Sequence, residues 1–251
     1  MSLSGKRVIV TGGAKGLGAA ICHGLAAQGA QVAITDVDGA AGAALAREIE
    51  ADGGTAFFVA MDVASEDGWR SAIAQIQARW GGVDILVNNA AIASAFTAIE
   101  DRSPDDWDRS MAINARGPFL GIRALLPMFR AQGGGVIVNV SSVAGLGQSQ
   151  IMDPAYACSK AALSMLTRIV AAQHGGEGVR CNSVHPGPID SPLARQAYGD
   201  ADAFAKRLTR VPIGRLARMD EVVAAILFLA SDASSYLNGV ALPVDGGALV
   251  Q

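Results

Sequence analysis

Short apolar, β-branched runs alternate along this chain with longer stretches whose apolar positions recur at helical spacing. The short runs predict strands at 7–11, 31–35, 56–60, 85–88, 136–140, 180–184 and 240–244. Most are almost continuously apolar, the pattern of parallel strands buried on both faces. Helices are predicted between them, at roughly 17–28, 39–52, 66–80, 104–131, 155–174 and 220–230. Breakers sit at the joints: Gly53-Gly54, Gly81-Gly82, Gly133-Gly134-Gly135 and Gly175-Gly176. Pro104 and Pro154 suit first helical turns. The repeated strand–helix order predicts an α/β fold, a Rossmann-like, doubly wound parallel sheet of about seven strands with helices on both faces. The rhythm breaks only at 188–219, rich in Pro, Gly, Arg and small residues. That segment reads as a substrate-covering insertion with one or two short helices, within a single domain spanning 1–251.

Composition narrows the class. With 51% hydrophobic and 17% charged residues, the chain can bury a large core and is not disordered. A formal charge of −3 gives no long-range attraction for a polyanion, so nucleic acid is not an expected partner. The longest strongly apolar run, Val222 to Ala230, is too short to span a bilayer, and the first residues lack the apolar core of a signal peptide. Cys22, Cys158 and Cys181 are odd in number and widely spaced, which fits neither a disulfide framework nor a CxxC pair. A cytoplasmic setting is expected. His23, His174 and His185 are scattered and lack metal-ligand spacing, so no metal is expected; His185 reads as a residue that merely ends a strand.

The candidate chemistry begins where the first strand ends, at Thr11-Gly12-Gly13-Ala14-Lys15-Gly16-Leu17-Gly18. Gly12, Gly16 and Gly18 allow a sharp turn and let backbone approach a pyrophosphate at the following helix N-terminus. Asp36 closes the second strand, where a carboxylate accepts hydrogen bonds from adenosine ribose hydroxyls and repels a 2′-phosphate. Lys15 argues the other way, since an ammonium beside the turn can pair with that phosphate. Asp36 is weighted more heavily because no basic residue follows it, only Val37 and Asp38. The expected cofactor is therefore NAD. Further along, Tyr156-Ala157-Cys158-Ser159-Lys160 puts a phenol and an amine one helical turn apart on one face. A nearby ammonium favours phenolate, fitting Tyr156 for acid–base work near neutral pH. Lys160 can also hold ribose hydroxyls. Cys158 should point away from this face.

Together these features resemble the short-chain dehydrogenase/reductase family of about 250 residues, in the style of bacterial hydroxysteroid and cyclic-alcohol dehydrogenases. The resemblance rests on an ordered set: Thr11–Gly18, Asp62-Val63, Asn88-Asn89-Ala90, Asn114, Ser141-Ser142, Tyr156–Lys160, Pro186-Gly187 and Asp245-Gly246-Gly247. It implies that Tyr156 is the catalytic acid/base and Lys160 its partner and ribose anchor. It implies that Ser142, rather than Ser141, polarises the substrate oxygen, and that Asn114 bends its helix and supports a proton path beside the lysine. Asp62 and Val63 would meet the adenine, Asn89 and Ala90 the adenine ribose, and Pro186, Gly187, Ile189 and Ser191 the nicotinamide side. Two departures stand out. Ala91 replaces a usual glycine, which narrows backbone freedom. One extra residue separates Ser142 from Tyr156, placed within Gly147–Asp153. The substrate pocket would draw on 92–97, 143–153 and 188–198, with Ser94, Phe96, Val143, Gln150, Met152, Pro188 and Leu193 as its walls.

The implied function is NAD-dependent interconversion of a neutral, cyclic or sterol-like secondary alcohol and its ketone. Competing readings are an NADP-dependent ketone reductase drawing on Lys15, and a polyol or sugar dehydrogenase drawing on Gln148, Gln150 and Asp153. A non-catalytic dinucleotide sensor is a more distant third. The family resemblance also implies a homotetramer, with the last helix and the last strand as interface elements.

Overall fold

The computed structural model describes residues 2–94, 97–147, 153–190 and 208–250. Among these, seven strands form one sheet: β1 (Arg7–Thr11), β2 (Gln31–Asp36), β3 (Thr55–Ala60), β4 (Ile85–Asn88), β5 (Gly135–Val140), β6 (Val179–Pro186) and β7 (Ala241–Val244). Their order is β3-β2-β1-β4-β5-β6-β7, and every pairing is parallel. The predicted strands therefore form within one or two residues of their expected limits. Pro243 is tolerated because β7 lies at the sheet edge, where a missing N–H breaks no ladder.

The continuous apolar runs have the expected cause. Val8 and Val10 face one layer, containing helices α1 (Gly16–Ala27) and α2 (Gly39–Ala51). The last helix, α7 (Met219–Ala230), packs in the same layer. Ile9 faces the opposite layer, built from α3 (Glu66–Trp80), α5 (Gly117–Ala131) and α6 (Pro154–His174). The inner strands are thus covered on both faces, whereas the edge strand β7 packs against the first layer only. Trp69 anchors the second layer, fully buried with its indole N–H donated to Val63 O at 3.0 Å.

Local signals set the helix limits. Ser65 accepts from Gly68 N at 3.0 Å to start α3, and Gly81, with φ +76, ends it. Asp153 accepts from Tyr156 N at 3.0 Å and Pro154 follows it, fixing the start of α6. One predicted element differs. The helix expected over 104–131 is two helices, α4 (Pro104–Met111) and α5, joined by a π-helical turn at Ala112–Arg116. That wide turn holds Asn114, whose side chain bonds the Ile92 backbone twice, to N–H and to C=O, both at 2.9 Å.

The insertion after β6 is closed at its neck. Ile189 bridges Ala217 in parallel, and Ala217 N donates to Pro188 O at 2.9 Å. Residues 191–207 of the segment in which short helices are expected lie outside the described residues.

Candidate active site

The carboxyl ends of β1, β4, β5 and β6 open onto one cleft of about 740 Å³. This is the end at which parallel α/β sheets hold ligands, beside the reversal in strand order at β1.

The first end of the cleft is built from backbone. Gly12 takes φ +61, and a Cβ on Gly18 would lie 2.0 Å from Gly12 O, so the turn closes only with glycine there. Asn89 stitches this turn to β4, donating from Nδ2 to Thr11 O and Gly12 O at 3.0 Å each. Thr11 Oγ1 in return accepts from the N–H groups of Asn89 and Ala90 at 3.0 Å. Helix α1 begins at Gly16 with no side-chain cap and no acidic residue in its first turn. Its first N–H groups therefore suit an anion. Asp36 is fixed by two backbone donors, Ala14 N to Oδ2 and Asp38 N to Oδ1, both at 3.0 Å. Lys15 is engaged with Asp38 at 2.6 Å, and the pairing holds its ammonium above the ordinary lysine range. Asp62, Val63, Asn89 and Ala90 continue along the same wall. Ala91 carries no strain, since no described non-glycine residue has positive φ.

The other end is built from side chains. Ser141 and Ser142 leave β5 pointing to different places. Ser141 Oγ bonds Lys160 O at 3.0 Å and Ser164 Oγ at 3.1 Å, tying β5 to α6. Ser142 Oγ accepts from Ala144 N at 3.1 Å and is hydrogen-bonded to the Tyr156 phenol. Lys160 is buried on the next turn of α6, with Nζ 5.6 Å from the Tyr156 ring centroid and donating to Val140 O at 2.8 Å. Asn114 is fully buried and donates to Ser159 Oγ at 3.1 Å, joining the π turn to the Tyr–Lys segment. Cys158, between them in sequence, is exposed. Pro186, Gly187 and Ile189 form the remaining wall. A Cβ on Gly187 would meet Asp245 Cα at 2.8 Å, so this wall closes against Asp245 only with glycine at 187.

Burial dominates the electrostatics of this end. Burial pushes the Tyr156 phenol above its ordinary value, and the Ser142 hydrogen bond only opposes this. Lys160, also buried, is itself pushed down to about 8. Its ammonium donates to the Val140 carbonyl, and desolvation is the largest influence on both groups here.

Of the expected pocket residues, Ser94, Val143 and Pro188 line the cleft. Phe96, Gln150, Met152, Leu193 and Ser191 lie outside the described residues, as does Gln148. Asp153 lines the cleft but is already engaged: one oxygen caps Tyr156 N and the other is ion-paired with buried Arg102. It is therefore not free to recognise a sugar. Arg102 and His185 were not legible as site-supporting residues, because nothing in their spacing connects them to Tyr156 or Ser142. Pro154 was legible as a helix start, while the capping role of Asp153 was not.

The cleft fits a nicotinamide dinucleotide: an uncapped helix start and glycine turn for phosphates, a positioned carboxylate at one end, and a hydroxyl–phenol–amine group at the other. Comparisons with known proteins agree with this arrangement. The family model described as enoyl-(acyl carrier protein) reductase matches residues 12–248. The cyclopentanol dehydrogenase of Comamonas testosteroni is 40% identical over 242 residues, covering 96% of both chains. The 3-alpha-(or 20-beta)-hydroxysteroid dehydrogenase of Mycobacterium bovis is 36% identical, covering 98% of this chain and 90% of its own. A gluconate 5-dehydrogenase from Burkholderia cenocepacia, solved with NADP and tartrate, superimposes with a TM-score of 0.95 at 36% identity, covering 100% of this chain and 97% of that one. Fold, cleft and relatives lead to one assignment: this chain belongs to the short-chain dehydrogenase/reductase family of oxidoreductases.

Proposed function

We propose that this protein is an NAD-dependent oxidoreductase interconverting a neutral cyclic secondary alcohol and its ketone, with Tyr156 as the acid/base. The observation that carries this reading is the convergence of Ser142, Tyr156 and Lys160 on the cleft that also holds the glycine turn and Asp36. Gly12, Gly16, Leu17 and Gly18 would hold the pyrophosphate, and Asp36 the adenosine ribose. Asp62, Val63, Asn89 and Ala90 would border the adenosine half. Tyr156, Lys160, Pro186, Gly187, Ile189 and Ser191 would hold the nicotinamide half. Bound there, NAD supplies the hydride acceptor for oxidation and, once reduced, the donor for reduction.

In oxidation, Tyr156 Oη takes the proton of the substrate hydroxyl while Ser142 donates to the developing oxyanion. In reduction the proton returns from the phenol. Lys160, one helical turn beyond Tyr156, would favour phenolate by turning from Val140 O toward the phenol. Asn114 supports the helix beside this pair and the proton path from it. Asp36 favours NAD because its carboxylate is held by two N–H donors, while Lys15 is neutralised by Asp38. Apolar walls such as Ile92, Val143 and Pro188 support a neutral cyclic substrate. The NADP complex of the gluconate relative favours a second reading, an NADP-linked polyol or sugar-acid enzyme.

The deciding experiment is turnover of cyclohexanols, steroids and sugar alcohols with NAD and with NADP, beside Tyr156→Phe. Activity with cyclic alcohols and NAD is expected, and Tyr156→Phe should lower kcat roughly 10³- to 10⁴-fold with cofactor binding retained. Near-normal turnover in that variant removes the acid/base assignment; activity confined to polyols or NADP replaces the substrate or cofactor assignment. We further propose a cytoplasmic homotetramer. Free, buried Cys22 and Cys181 support a reducing setting, and the β7 edge supports association. A monomer in light scattering would overturn the tetramer.

A further inference from the structure

We propose that His185 is a positioning residue for the reaction, holding the Ser142 backbone so that its hydroxyl meets Tyr156, and that it does so from its Nδ1–H. This rests on the reading of Ser142 and Tyr156 given above. His185 is fully buried near the end of β6, directly before the Pro186-Gly187 wall. Its Nδ1 lies 2.9 Å from Ser142 O, and its Nε2 lies 2.8 Å from Ser183 Oγ. A carbonyl oxygen only accepts, so Nδ1 carries the proton. Burial, reinforced by the charges of Lys160 and Arg168, pushes the imidazole below its ordinary value against the opposing Ser142 hydrogen bond. The ring is then neutral, and Nε2 must accept from the single Ser183 hydroxyl proton. The 3.2 Å approach of Ser183 Oγ to Val240 O loses that competition, and Val240 O is already satisfied by Ser183 N at 2.9 Å.

This makes a rigid link between two cleft walls. Ser142 sits in extended backbone, φ −166 and ψ 157, at the first residue beyond Ser141, and the peptide it contributes is the one His185 holds. Its side chain is fixed separately by Ala144 N. Ser142 O also accepts from Gly145 N at 3.0 Å, so losing the imidazole removes one of its two donors, which loosens the peptide and shifts Oγ relative to Tyr156. Misplacement of a reacting group by about 1 Å costs on the order of 10²-fold in rate. His185 does lie near the end of β6, as the sequence implies, and the positioning role is additional to that.

Amide side chains separate the two nitrogens, because Asn Nδ2 matches the Nδ1 position and Gln Nε2 reaches the Nε2 position. The experiment is steady-state kinetics and cofactor affinity of His185→Asn, His185→Gln and His185→Leu, each with its Tm. His185→Gln and His185→Leu should lower kcat roughly 10- to 100-fold with cofactor Kd within about 2-fold. His185→Asn should recover most of the lost kcat. Loss in His185→Asn equal to that in His185→Leu, or kcat following Tm across the series, overturns the proposal. Imidazole ¹⁵N shifts of the wild-type protein supply a readout independent of turnover: a protonated Nε2 at neutral pH also overturns it. If the wild-type protein turns over no alcohol, the functional reading fails, while the ¹⁵N result still decides the geometry.

Discussion

The two ends of the cleft are built by different means. At the glycine-turn end, backbone geometry and solvent-accessible carboxylates do the work: Gly12, Gly18, Asp36 and the Lys15–Asp38 pair. At the Tyr156 end, buried polar side chains from distant elements interlock: Asn114 with Ser159, Ser141 with Lys160, His185 with Ser142, and Arg102 with Asp153. Buried polar groups cost stability when a partner is removed, whereas exposed ones cost little. The contrast teaches that selectivity can be altered cheaply at the first end, while the second end couples chemistry to folding.

The largest effect that would break this contrast concerns Arg102. Both members of its pair with Asp153 are almost completely buried, so Arg102→Ala strands a carboxylate that also caps the catalytic helix. A loss of about 3–5 kcal/mol is expected in urea unfolding. A loss below about 1 kcal/mol would show that the pair is solvated and the second end is not interlocked. At the first end, Asp36→Ser should shift the kcat/KM ratio toward NADP by about 100-fold, equivalent to about 2.7 kcal/mol, with Tm little changed. An unchanged ratio would remove Asp36 as the selecting residue.

Lys160 sharpens the comparison. Its folded pKa, about 8, lies below the ordinary 10.5, so the unfolded chain binds more protons between those values. Its contribution thus disfavours the fold below pH 8, and this penalty is relieved as pH rises from about 8 to 10.5. Lys160→Met should abolish turnover yet raise stability at pH 7 by about 1–2 kcal/mol, after the loss of the Val140 hydrogen bond. Its unfolding free energy should also lose the rise across that window. Equal or lower stability would mean that the ammonium is better solvated than its burial implies. The smallest effect is expected from Asp38→Asn, which frees Lys15 and should improve NADP use only a few-fold, in keeping with exposed pairs. A gain as large as that of Asp36→Ser would make Asp38 an equal determinant.

The chain of residues alone determined the sheet, because continuous apolar runs are a local property and burial of the inner strands on both faces demands them. It also placed the glycine turn, Asp36 and the Tyr156–Lys160 spacing, since each depends on neighbours within a helical turn or on a residue's backbone freedom. The resemblance anticipated a bend at Asn114 but not its π geometry at Ala112–Arg116, which depends on Asn114 reaching the Ile92 backbone, 22 residues away in sequence. The sequence did not show that Asp153 pairs with Arg102, that His185 bonds the Ser142 carbonyl, or that burial acts on Tyr156 and Lys160 together. Only packing creates a low-dielectric interior, and desolvation and long-range hydrogen bonds have no signature in local spacing.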